Sequence, residues 1–370
     1  MGPLAGIRVL DLSQIVSGPM AGAWLADQGA DVIKLESPEG DPVTGFGARR
    51  AGISGIYVAV NRGKRGEKLD LKDPASHPRF EELVRWADVL IENFRPGAMA
   101  KLGFPYERCA ALNPRLVWCS ITGFGPDGPY ANLRAYDPVV QAASGVCALQ
   151  AGADPEPRLV GTLIFDKVTA ITAAQAITAA LFARERTGAG QKVEVPMLDA
   201  AVAFNWVEGM YNQAFVEGPE VPMPDYATFG RLWRAKDGWV ALSALQDVEF
   251  RALREALGHP ESLADPVFDT GAGRFAELPR MMAAMGAEIA KRTVAELMEG
   301  FTRAGAVGCV VNDRISLMAD PQVRHNRCLV EVDQGPAGRV RVARHPIRFS
   351  ATPAVDVPGP APRLAGNGPG

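Results

Sequence analysis

Asp166 interrupts the run "LIFDKVTAITAAQAITAALFARERTGAG", where a short apolar, strand-like stretch gives way to an alanine-rich segment with helical spacing. A carboxylate at such a junction can do either of two jobs. It can cap the helix, accepting backbone N–H groups that the first turn leaves unpaired, for about 1 kcal/mol. It can instead be an oriented nucleophile that forms an acyl intermediate. Residue type and position allow both.

A second acid, Asp137, closes "RAYD" in the loop "ITGFGPDGPYANLRAYDPVVQAASG", which also carries Tyr130, Arg134 and Tyr136. A long, glycine-punctuated loop after a strand is where parallel α/β folds bind ligands. The four histidines, His77, His259, His325 and His345, all lie outside it. That removes the usual general base and leaves Asp137 and Asp166 as candidate nucleophiles or bases. Basic residues gather at two other junctions: Lys64 and Arg65 in "NRGKRGEKLDL", and Arg95 and Lys101 around Pro96-Gly97 in "NFRPGAMAKLGF". Charge and backbone donors converging at such junctions suit phosphate groups, while a solvated surface is the competing explanation for any single one.

The elements that must position these residues follow from hydropathy. "GIRVLDLS", "GPMAGAWLADQGA" and "DVIKLES" read as a strand, a helix and a strand. The order recurs in "FEELVRWA" and "DVLIENF", a short helix around Met99, "RLVWCSITGFG" and "QKVEVPM". Strands alternating with helices imply a mostly parallel, doubly wound sheet. Near residue 200 the character changes, beginning with a helical "DAAVAFNWVEGMYNQAF", after which "VEGPEVPMPDYATFG" reads as a linker. Beyond it, "RLWRAKDGWVALSAL" predicts a hairpin turning at Asp237-Gly238, with helices at "DVEFRALREALG", "LPRMMAAMGAEIAKR" and "TVAELMEGFTRAG". "CLVEVDQGPAGRVRVARHPIRFS" returns to strands, and the proline- and glycine-rich tail predicts no regular structure. The boundaries expected are a large domain over 1–200, a linker over 201–225, a small domain over 226–325 and a return segment over 326–370.

Composition bounds the function. The chain has 370 residues, 47% of them hydrophobic, and its 39 basic and 42 acidic side chains leave a net charge of −3. That is enough for two domains, and it lacks the basic field that collects nucleic acid. Five cysteines without a CxxC pair argue against a disulfide framework or a zinc site and fit a reducing cytoplasm. The amino terminus predicts neither signal nor transit peptide, and membrane insertion is not expected. The first βα junction, "DLSQIVSGPMAG", lacks the GxGxxG of dinucleotide-binding folds; Gly18 and Gly22 are as well explained by a tight turn and close helix packing.

Seven blocks in series, "DLSQIVSGPMAGAWLADQGADVIKLESPEGDP", "NRGKRGEKLDLKDP", "VLIENFRPGAMAKLGF", "LNPRLVWCSITGFGPDGPY", "RAYDPVVQAASG", "FDKVTAITAAQAITAALFARERTGAGQKVEVPMLDA" and "ADPQVRHNRCLVEV", resemble the family III CoA-transferases, the CaiB/BaiF family, over nearly the whole chain. The resemblance implies an α/β fold with a large Rossmann-like domain on a parallel sheet, a smaller α+β domain, and two subunits interlocked as a homodimer. It implies that Asp166 attacks an acyl-CoA and carries the CoA as an enzyme thioester to a small carboxylic acid, with no metal. It places Gln14, Ile15 and Val16 near the reacting thioester. Lys64, Arg65, Asn93, Phe94, Lys101 and Arg134, with Tyr136 and Asp137, fall at the coenzyme A pocket.

The chain departs from the formyl-transferring members, having Val16 for glutamine, Ser37 for arginine and no glycine run in "VPMPDYATFGRLWRAKDG". The family also contains 2-methylacyl-CoA racemases. Those place a histidine before the aspartate of "RAYD" and a glutamate where Gln246 stands, whereas this chain has Tyr136. Racemisation needs a base on each face of the α-carbon, and tyrosine, with an ordinary pKa near 10, is a poor one. Transfer is therefore the leading expectation. A CoA-binding protein without turnover and a nicotinamide dehydrogenase are the other readings.

Overall fold

The computed structural model describes residues 1–152, 154 and 156–363, and of Thr228 and Phe229 only the backbone. Of the proline-rich tail, residues 364–370 lie outside the described residues; 351–363 form no helix or strand. Contacts divide the chain into a larger unit, Met1–Pro224 with the chain from Gln322 onward, and a smaller one, Asp225–Pro321.

The larger unit is built on six strands: β1 (Arg8–Asp11), β2 (Asp31–Glu36), β3 (Arg65–Lys68), β4 (Val89–Glu92), β5 (Val117–Thr122) and β6 (Lys192–Pro196). They pair side by side in the order β3-β2-β1-β4-β5-β6, and every pairing is parallel. That is the Rossmann order, which reverses direction between β1 and β4. The apolar runs in these strands exist because both faces are covered. Alternate residues point to opposite sides: Val9, Ile91 and Cys119 join one core, Leu10, Leu90 and Trp118 the other.

On the first face α1 (Ser17–Asp27) lies against α5 (Ile164–Thr187); α2 (Gly55–Asn61), α3 (His77–Trp86), α4 (Asp137–Ala143) and α6 (Met197–Gly209) complete the helices needed here. α5 is long and apolar enough to cross a membrane by length and composition, yet half of that stretch is buried inside the protein. Its Phe165, Ala173 and Ile177 belong to the same core as Val9. Small side chains permit the close approach of α1. A Cβ at Gly18 would fall 2.3 Å from the Ser13 Cβ, and one at Gly22 would fall 2.9 Å from an Asp11 carboxylate oxygen. Packing therefore explains both glycines.

One local expectation changes. The run Leu163–Phe165 forms no strand: Ile164 and Phe165 are already the first residues of α5. The helical reading of "DAAVAFNWVEGMYNQAF" corresponds to α6, which runs into the first part of the segment 201–225 and buries Ala200, Ala201 and Asn205. An antiparallel hairpin, β10 (Leu329–Asp333) with β11 (Arg339–Ala343), packs its Val330, Val332 and Val342 with Tyr57 and Val58 of α2.

The smaller unit pairs β7 (Leu232–Arg234), β8 (Trp239–Leu242) and β9 (Gly308–Val310) antiparallel, with β8 central. Three helices, α7 (Asp247–Ala256), α8 (Leu278–Ala290) and α9 (Val294–Ala304), enclose a core that includes Trp233, Phe250, Met285 and Phe301. A capping box, Thr293 with Glu296, starts α9.

Candidate functional site

Open α/β sheets bind ligands beyond the carboxyl ends of the strands where the order reverses. Here that point lies between β1 and β4, and their trailing loops are tied together. The Leu12 amide donates to the Ile91 carbonyl at 2.8 Å. Gln14 donates its backbone N–H to the Asn93 Oδ1, and Asn93 Nδ2 donates to the Gln14 carbonyl, each at 2.8 Å.

A cavity of about 300 Å3 opens at this point. Gln14, Ile15, Asn93, Phe94, Arg134, Tyr136 and Asp166 all line it, together with Ser17, Arg95 and Met197. Eight residues singled out from the sequence, Arg95 among them, drawn from four separate segments, thus share one cavity.

Asp166 enters it from the first turn of α5. The helix cap is not Asp166, nor the Leu163 that precedes the helix. Asp137, fully buried, takes that role: its Oδ2 accepts the amides of Phe165 at 2.6 Å and Asp166 at 3.0 Å. Gln141, one turn on in α4, donates to the Asp137 carboxylate and to the Thr162 carbonyl, and accepts the Val160 amide at 2.9 Å. Both oxygens of Asp137 are thereby occupied. Of the residues expected at the coenzyme A pocket, Asp137 thus faces the helix start and does not line this cavity.

With the amides satisfied by Asp137, the Asp166 carboxylate accepts no hydrogen bond among the described residues, although it is only 8% exposed. Burial, and then the negative charge of Asp137, push its pKa up to about 7, against the opposing pull of Lys167. A carboxyl group largely withdrawn from solvent and without protein donors is unusually basic, and as an anion it is poorly solvated and reactive. Arg95 and Arg134 form no ion pair among the described residues, so the cavity offers two unneutralised guanidinium groups to an anion.

The remaining expected residues lie elsewhere. Lys64 is 4% exposed and spends its ammonium on Asp11 at 2.6 Å, the Pro19 carbonyl at 2.7 Å and Asn61 at 2.8 Å. All three donors are used, so Lys64 holds α1 and α2 against β1 and has none left for a ligand. Arg65 is exposed, pairs with Asp31 at 2.7 Å and sits over Trp86. Lys64 and Arg65 line a different cavity, with Gly335 and Arg363. Lys101 is exposed at the end of the turn Ala98–Lys101, next to the Met99 and Ala100 that line a cavity of about 220 Å3 shared with Phe94 and Arg95. Val16 does not line the cavity of Asp166 but a larger one of about 1030 Å3, with Leu163, Lys167 and His345. Gln141 and Asp41, which also hold this site, carry no local signal in sequence, since the site groups they hold, Val160 and Thr162 for Gln141 and the Ile15 amide for Asp41, lie 19 to 26 residues away. Among the described residues no group of three or more His, Cys, Asp or Glu could hold a metal ion.

The model of CoA-transferase family III matches residues 4–367. The chain is 35% identical to the succinate–glutarate CoA-transferase of Agrobacterium fabrum, over 98% of this chain and 93% of that protein. It is 35% identical to the acetyl-CoA:oxalate CoA-transferase of Acetobacter aceti, over 94% and 90%. A crystal structure of a CaiB/BaiF family protein from Brucella suis is similar with a TM-score of 0.85 at 32% identity, covering 99% of this chain and 97% of that one.

Proposed function

Because this chain belongs to CoA-transferase family III, we propose that it moves CoA from an acyl-CoA to a small carboxylic acid through covalent attachment to Asp166. The observation that carries the role of Asp166 is the division of labour at the start of α5. Asp137 caps the helix, which leaves the Asp166 carboxylate buried, facing the cavity and without a hydrogen-bond donor.

The chemistry follows from that carboxylate. Its oxygen attacks the thioester carbonyl, and the C–S bond breaks, giving a mixed anhydride and CoA thiolate. The thiolate attacks the aspartyl carbonyl and expels the donor acid, which leaves with an oxygen that came from Asp166. The acceptor carboxylate then attacks the aspartyl thioester, and the freed thiolate attacks the acceptor's carbonyl in the new anhydride. Asp166 is regenerated with an oxygen from the acceptor. Every nucleophile is an anion and every leaving group an anion, so no general base is needed. That agrees with a cavity whose lining contains no histidine. Water must be excluded, since it would hydrolyse anhydride and thioester alike.

The cations Arg95 and Arg134 are placed to hold CoA phosphates or a carboxylate. Relatives named for succinate, glutarate and oxalate support a dicarboxylic acid as acceptor. The test uses succinyl-CoA and oxalate or glutarate carrying 18O. Quenching with hydroxylamine should modify Asp166 alone, and 18O should enter Asp166 only during turnover. In deuterated water a 2-methylacyl-CoA donor should keep its α-hydrogen, because only the carbonyl reacts. Rapid α-exchange without transfer to any acid would make the enzyme a racemase, with Tyr136 and Asp166 as bases.

The reading includes a second copy of the chain, interlocked with the first. Phe204, Trp206, Val207, Phe215 and Val221, on α6 and the segment after it, are all exposed, an apolar run that a monomer would leave in water. Light scattering should return twice the chain mass of 39.4 kDa. A monomer at working concentration would remove the dimer from the proposal.

A further inference from the structure

The loop between β1 and α1 faces the Asp166 cavity through Gln14, Ile15 and Ser17, and it carries an unusual backbone. Ile15 has φ +70°. A β-branched residue is a true outlier in the left-handed region, and such strain persists only where surrounding bonds over-determine it.

Those bonds are visible. The Ile15 amide donates to the Asp41 Oδ1 at 3.1 Å. Asp41 is 1% exposed, and its other oxygen pairs with Lys34 Nζ at 3.0 Å, with both side chains shut off from solvent. Lys34 also donates to the Ser13 carbonyl, at the head of the same loop. Asp41 is fixed in turn by the Val43 amide at 3.0 Å and by donating its own N–H to Glu36 at 3.3 Å, while Glu36 is held by the Tyr57 hydroxyl at 2.7 Å. On its other side the loop is clamped by the Gln14–Asn93 pair. A buried ion pair is an expensive way to gain stability, so its presence beneath a strained loop calls for another reason.

We propose that Asp41, set by Lys34, is a positioning residue for transfer: it holds Ile15 in the left-handed conformation that fixes the Gln14–Ser17 loop against the cavity of Asp166. The inference rests on Asp166 as nucleophile. If Asp41 lets go, Ile15 relaxes to negative φ and the loop swings with it. A displacement of about 1 Å beside the reacting carbonyl can cost on the order of a hundredfold in rate.

The test avoids leaving a charge buried alone. Lys34→Met with Asp41→Asn keeps an oxygen for the Ile15 amide, whereas Lys34→Met with Asp41→Leu removes it at similar volume. The leucine variant should show a kcat lower than the asparagine variant by on the order of a hundredfold, with a smaller change in KM. Adding Ile15→Gly to both should shrink that gap at least about tenfold, because glycine takes positive φ without strain. Equal kcat in the two variants, or a gap that glycine leaves unchanged, overturns the proposal. In the wild type, the Ile15 amide should exchange with solvent far more slowly than that of Ser17; fast exchange overturns it as well. Loss of the parent reading looks different, since it would show as no transfer even in the wild type.

Discussion

Replacing Asp166 with alanine should lower CoA transfer by more than about a thousandfold, or ~4 kcal/mol of barrier, while leaving acyl-CoA affinity within a few-fold of wild type. The separation is expected because the proposed mechanism takes the bond-forming oxygen from Asp166, whereas the cavity wall is supplied by Gln14, Asn93, Phe94, Arg95 and Arg134. Fold loss is not expected either. The amides that start α5 are held by Asp137, and the Asp166 side chain makes no hydrogen bond among the described residues whose loss would be felt. Stopped assays should show no burst of released CoA and no hydroxylamine-sensitive enzyme. A variant that retained more than about a thousandth of the activity would mean that another group carries the acyl chain.

Why the position of Asp166 at the head of a helix is legible in sequence, while the capping contact of Asp137 is not, is a question of range. An acid at the head of an alanine-rich run declares its position within one helical turn. The identity of the cap does not: Asp137 reaches across 28 residues to the Phe165 amide, and only the packing of α4 beside α5 brings the two together. Lys64 shows the same limit. In a loop before a strand it looks solvated, but its partner Asp11 lies 53 residues earlier and its ammonium is buried. The parallel sheet was legible because strands covered on both faces are rich in apolar residues, and Val9-Leu10, Val89-Leu90-Ile91 and Val117-Trp118-Cys119 are the apolar stretches of three of them. The short helices α2 and α4, seven residues each, were not, since their two turns show too little periodicity to separate from loop. The apolar start of α5 failed for a related reason: three apolar residues in a row fit a strand or a buried helix equally.

The second large effect concerns stability, and it follows from the same carboxyl group. Asp166 has a pKa of about 7 in the folded protein against an ordinary 3.8, raised first by burial and then by Asp137. Between those values the folded state keeps a proton that the unfolded chain has lost. The slope of unfolding free energy with pH is therefore negative there, so stability falls as pH rises from about 4 to about 7. Integrated over the interval, at about 1.4 kcal/mol per pKa unit, the cost is on the order of 4 kcal/mol at neutral to alkaline pH. Asp166→Asn removes the charge and keeps the shape. It should thus be more stable than wild type by several kcal/mol at pH 8 and nearly equal to it at pH 4, in urea titrations at fixed protein concentration. In the proposed mechanism only the carboxylate attacks, so the same ionisation should appear in catalysis: wild-type kcat/KM should rise with pH through about 7 and then level. A difference in stability between the two proteins that did not change from pH 4 to pH 8 would mean that Asp166 ionises normally in the free enzyme. The cavity would then be wetter than its burial implies, and the anhydride would need a moving part of the protein to shield it from water.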